Sequence, residues 1–152
     1  MHQHAYWKKS PAWYGYSMQI FWKILVPLNI GINGFFNNKM YGVSGGFPKN
    51  IILELRSFCM NKDFFFPFFK SKNIVNYFDT IRCKVKAYHL ADDIVANYIS
   101  CKDMLDKYSN ADKTIETLHA KDFDMKEFGH RGFFSSKAEK LLWPKFLKDL
   151  EV

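Results

Sequence analysis

The chain has 152 residues, 48% of them hydrophobic, with 16 Phe, 8 Tyr and 4 Trp, which is enough for one domain with a core, too little for two ordinary ones, and too apolar for a disordered segment. A formal charge of +7 and a pI near 9.3 permit contact with anions. The lysines, however, lie in scattered pairs such as Lys70 and Lys72 or Lys84 and Lys86 among apolar segments, a pattern of solvated basic surface that argues against a nucleic-acid interface.

In chain order, Pro11 opens an amphipathic helix pattern over residues 11–36, with Trp13, Tyr16, Ile20, Phe21, Ile24, Leu25 and Leu28 at spacings of three and four and a break or kink expected near Pro27. The apolar run Ile20 to Ile32 contains Lys23, Pro27, Asn29 and Gly31 and falls short of the roughly 20 uninterrupted apolar residues of a spanning helix, so no stable membrane insertion is expected. A loop rich in Asn and Gly follows from Asn33 to Gly46, and Pro48 then starts a second short helix with Ile51, Ile52, Leu55, Phe58 and Cys59 on one stripe. The segment Asp63 to Lys70 has strand-like composition but carries Pro67, and reads as a loop packing aromatics; Ile74 to Ile81 reads as one or two helical turns.

From residue 82 the character changes. Arg82 to Ala91 reads as a strand followed by a turn at Asp92 and Asp93, residues 95–108 as a helix, Thr114 to His119 as a second strand, and Ala138 to Val152 as a final helix despite Pro144. Strand, helix, strand, helix is the mark of an α/β layer with a parallel sheet. The chain thus divides into a helical, aromatic-rich segment, residues 1–80, and a βαβα part, residues 81–152. Two strands are too few for a doubly wound sheet, so each is expected to keep an edge open to further strands.

Asp92 directly follows the first of these strands, at the end where open parallel sheets carry functional groups, and His130 follows the second in the Gly-flanked loop EFGHRGFF. An acid after one strand and a histidine after the next is the order in which α/β-hydrolases present two members of a catalytic triad. Such an acid fixes the imidazole tautomer so that the other ring nitrogen takes a proton from a serine. Either aspartate taken alone reads as a helix N-cap, and His130 taken alone as an ordinary loop histidine.

On Tyr6 and Trp7, Gly45 to Cys59, ADDIVA at Ala91 to Ala96, GHRGFF at Gly129 to Phe134 and LLWPKFLKDL at Leu141 to Leu150, the chain resembles a branch of predicted serine hydrolases of the α/β-hydrolase superfamily, related to serine aminopeptidases and lysophospholipase-like esterases. The resemblance implies an α/β fold, a partial α/β-hydrolase fold, in which a helical cap segment precedes the last two strands and helices of the parallel sheet. It implies catalytic roles for Asp92, in preference to Asp93, and for His130. The family's nucleophilic serine and oxyanion hole lie upstream of the part matched here.

Gly42 to Gly46 satisfies G-x-S-x-G around Ser44, but Asn37 to Tyr41 makes no buried strand to deliver the serine and Pro48 delays the helix behind it, so the match reads as a chance pattern in a Gly-rich loop. The expectation is a truncated or split serine hydrolase, inactive alone, that pairs with an N-terminal complementing half or with itself through exposed sheet edges. The alternative is a basic, aromatic-rich module that binds lipid, membrane or a partner without catalysis. No cofactor and no metal are expected: Cys59, Cys83 and Cys101 are odd in number without ligand spacing, and His2, His4, His89 and His119 read as surface or core histidines. Reduced thiols and the lack of an apolar stretch after the basic residues near the N-terminus point to a cytoplasmic protein.

Overall fold

The computed structural model describes residues 10–41 and 45–150; Tyr6, Trp7, His2, His4 and Ser44 lie outside the described residues. The chain forms two compact units that divide between Asn76 and Tyr77, against the boundary near residue 80 expected from composition.

In the first unit, helix α1 (Ala12–Ile20) runs through a π-helical turn at Phe21–Leu25 into α2 (Val26–Asn33). The π turn is where Pro27 is accommodated. The Val26 amide donates to the Phe21 carbonyl, so in this register the next donor, due at the Trp22 carbonyl, is Pro27, which has no N–H. The Arg56 Nε supplies the missing bond to the Trp22 oxygen at 2.6 Å. Arg56→Met keeps the apolar stem and removes that donor, and is expected to cost about 2 kcal/mol in chemical denaturation; no change in midpoint would show that water replaces the guanidinium at no cost.

Helix α2 ends at Gly34, whose φ of 75° places it in the left-handed region. The expected Asn- and Gly-rich loop contains a small antiparallel pair, β1 (Phe36–Asn37) with β2 (Gly46–Phe47). The buried Asn29 holds it like an extra strand, accepting the Asn37 amide at 2.7 Å and donating to the Asn37 carbonyl at 3.1 Å. Gly46 is required there, because a Cβ would lie 2.8 Å from the Phe36 carbonyl oxygen. Helix α3 (Lys49–Cys59) follows Pro48 as predicted. The aromatic loop expected at residues 63–70 is instead a turn leading into α4 (Phe66–Ser71), with Pro67 in its first turn, where no amide bond is lost. The predicted helical turns over 74–81 are reduced to a single hydrogen-bonded turn at 78–80, where the Thr80 amide donates to the Tyr77 carbonyl at 3.1 Å.

The second unit is a βαβ arrangement followed by helices. Strand β3 (Lys84–Leu90) pairs in parallel with β4 (Asp112–Leu118), in register from Lys84 opposite Asp112 to Leu90 opposite Leu118, and α5 (Tyr98–Asp106) makes the crossover. Asn97 caps α5 by accepting the Ser100 amide. On one side of the strands lies α5, with the Tyr98 ring edge-on to the buried His89. On the other, Leu90 and Leu118 join Met125, Phe128, Ala138 and Leu142 in the core.

The predicted single C-terminal helix is two, α6 (Ser136–Leu141) and α7 (Trp143–Leu150), broken at Leu142 because Pro144 fits only the first turn of a new helix. Helix α7 is tied to the sheet by ions: Lys86 Nζ is 2.9 Å from both Glu116 and Asp149, Lys145 is 2.9 Å from Glu116, and the Tyr88 hydroxyl also bonds Asp149. The fold is therefore mixed α/β with two small sheets, one of them parallel. Among the described residues no helix is long and apolar enough to cross a membrane.

Candidate active site

The chain leaves β3 at Leu90 and is held to its neighbour once more by the Ala91 amide, which donates to the Leu118 carbonyl at 2.9 Å. Two consecutive aspartates follow and do different things. Asp92 accepts the Phe128 amide at 2.7 Å and the Gly129 amide at 3.2 Å, so it pins the loop that carries His130. Gly129, with φ of 60°, makes the left-handed turn that brings the histidine round.

Asp93 is buried and meets His130. The imidazole Nδ1 lies 3.0 Å from Oδ2 and 3.2 Å from Oδ1; a carboxylate only accepts, so Nδ1 carries the proton of this bond. The structure therefore brings His130 to Asp93 and not to Asp92, the aspartate the sequence pattern singled out. The physical reason is local geometry. Asp93 Oδ1 accepts the Val95 and Ala96 amides, both at 2.9 Å, and this turn fixes its carboxylate toward the ring.

Burial is the largest influence on the Asp93 carboxyl and acts to raise its pKa, but the Ala96 amide, the bond and charge of His130 and the Val95 amide together outweigh it and hold the group below its ordinary value. Asp93 is thus a carboxylate at neutral pH, although only 5% of its side chain is exposed, while the His130 side chain is 40% exposed. A buried anion that orients a ring open to solvent is the arrangement required of an acid that serves a general base.

Beside the pair is a cavity of about 190 Å³, walled by Tyr88, Leu90, Ala96, Cys101, Phe133 and Phe134. Cys101 is the one thiol on it, and its character excludes it as a nucleophile. Burial, followed by the charge of Asp93, pushes its pKa up to about 11, and its Sγ donates to the Ala96 carbonyl at 3.3 Å, so the reactive thiolate is scarce at neutral pH. His89 is also buried, its Nδ1 3.3 Å from the Thr117 hydroxyl, and burial lowers its pKa; it is a core histidine. No group of three or more His, Cys, Asp or Glu side chains suited to a metal ion occurs among the described residues.

Fold and site define an α/β unit with a carboxylate–imidazole pair at the carboxyl end of a parallel strand pair. Comparison with known proteins finds no matching family model, no matching curated protein and no matching solved structure.

Proposed function

We propose that this chain is the acid–histidine portion of a serine hydrolase of α/β-hydrolase type, which cleaves esters or amides only when a second polypeptide supplies the nucleophile. The observation that carries this reading is the Asp93–His130 pair at 3.0 Å, placed just beyond the carboxyl end of β3 with the histidine following the next parallel strand. That is the chain order and the end of the sheet used by α/β-hydrolases.

In this reading Asp93 keeps the proton on Nδ1, and Nε2 removes the proton from an attacking hydroxyl as it adds to the substrate carbonyl. The resulting imidazolium, stabilised by the Asp93 charge, then returns that proton to the leaving alcohol or amine. The serine and the oxyanion donors come from the partner, which adds strands to the outer edges of β3 and β4; neither edge pairs with a strand among the described residues.

The test is hydrolysis of a short-chain activated ester by the purified chain and by Ser44→Ala and His130→Ala, each alone and after co-expression with a hydrolase half that contains a nucleophile elbow. The chain alone is expected to be inactive, with turnover appearing on co-expression and vanishing in His130→Ala only. Activity of the chain alone that is lost in both variants would make Ser44 the nucleophile and remove the need for a partner; failure of co-expression to yield activity would overturn the reading.

A further inference from the structure

The α1–α2 helix is apolar on two opposite sides. Trp22, Val26, Asn29 and Ile30 are buried in the first unit, while Trp13, Tyr16, Ile20, Ile24, Leu28 and Ile32 are exposed. From Tyr16 onward the exposed residues recur every fourth position. On a regular α-helix each such step advances about 40°, so the line from Tyr16 to Ile32 would wind through roughly 160° and run into the buried side. The π turn prevents this, because its five residues turn back roughly a quarter of a revolution relative to an α-helix. The side chains of Tyr16, Ile20, Ile24, Leu28 and Ile32 are thereby gathered into an arc of roughly 90°, opposite the buried one.

The result is an apolar strip about 24 Å long, on which Tyr16 is 67%, Ile24 51%, Leu28 57% and Ile32 77% exposed. Exposed apolar side chains aligned in this way, unlike ones scattered singly, mark an interaction surface.

We propose that this strip lies in the surface of an anionic lipid bilayer, with the helix parallel to the membrane plane. Charge selects this occupant. Between residues 10 and 76 seven lysines and arginines stand against two carboxylates, a net of +5, and the helix itself carries Lys23 and no acidic residue. Anionic headgroups complement that surface. A second copy of the chain does not, since it carries the same net positive charge. Trp13 and Tyr16, which combine an apolar body with a polar tip, suit the headgroup level. The proposal goes beyond the hydrolase reading and does not depend on it.

The test is co-sedimentation of the full chain with phosphatidylglycerol–phosphatidylcholine vesicles, beside vesicles of phosphatidylcholine alone, and with the double variant Ile24→Asp/Leu28→Asp, whose sites are exposed and whose helix content is verified by circular dichroism. The chain is expected to partition onto the anionic vesicles, to release at high salt, and to lose about a hundredfold or more in partitioning in the double variant. Equal binding to neutral vesicles, or binding unchanged in the double variant, would overturn the proposal. So would failure to bind either vesicle, and a concentration-dependent dimer broken by the same substitutions would then assign the strip to a second copy.

Discussion

On the proposed hydrolase reading, Asp93→Asn is expected to lower the ester turnover obtained with a complementing half by about 10⁴-fold, while Asp92→Asn changes it by no more than about tenfold. The difference follows from what each carboxylate holds. Asp93 Oδ1 accepts the Val95 and Ala96 amides, so in the variant the amide oxygen keeps that place and the NH₂ group takes the place of Oδ2, facing His130 Nδ1. A donor there forces the ring proton onto Nε2, the atom that must accept the proton of the nucleophile, and the base is lost though the geometry is kept. Asp92 bonds only the Phe128 and Gly129 amides through one oxygen, and the asparagine carbonyl can accept both. Steady-state kinetics of the two variants decide between the aspartates; a larger loss at Asp92 would restore the acid assigned from the sequence pattern.

The same substitution has a signature that needs no activity. Asp93 binds its proton more weakly in the folded chain than in the unfolded one, because its folded pKa is depressed. It therefore contributes stability above its unfolded pKa, near 3.9, and loses that contribution as pH falls through the still lower folded value. Denaturant unfolding should show Asp93→Asn less stable than the parent by about 1–2 kcal/mol from pH 5 to 7, with the gap closing below pH 4.

Much of the second unit was legible in its sequence because periodicity speaks directly there. Arg82 to Ala91 and Thr114 to His119 read as strands, the segment between them carries helical spacing, and turn residues separate the three. The choice between Asp92 and Asp93 was less visible, since adjacent residues at a strand end share composition and context. A signal did exist. Continuing the strand alternation puts Asp92 on the side of Leu90, where Phe128 packs, and so toward the loop amides, leaving Asp93 for the other direction.

Proline was the second source of error. Pro67 was read as an interruption and Pro144 as a residue inside one continuous helix, yet each sits in the first turn of a short helix, where a missing N–H costs nothing. The π turn had a cause in Pro27, but the donor that satisfies the Trp22 carbonyl comes from Arg56, more than thirty residues away, and no local pattern carries that.

Leu142→Ala is expected to destabilise the second unit by about 4 kcal/mol, against less than about 0.5 kcal/mol for Leu147→Ala. Both remove the same atoms from leucines five positions apart, so transfer chemistry alone would make them equal. Their surroundings differ: Leu142 is 0% exposed and packs with Leu90, Leu118, Met125, Phe128 and Ala138, whereas Leu147 is 60% exposed. Leu142 also sits at the break between α6 and α7, where its amide donates to Ala138 and its carbonyl accepts from Lys145. The backbone there cannot readily collapse into the space left by the side chain, which puts the cost in the upper part of the range for such truncations. The damage should reach the site, because Phe128 belongs to the same core while its amide is one of the two Asp92 holds to position the His130 loop. Denaturant titration and the His130 ring signals in a proton–nitrogen spectrum test both parts together. Equal midpoints for the two variants would mean that Leu142 is not at the centre of the core, and a lowered midpoint with unchanged His130 signals would mean that the loop is held by Asp92 alone.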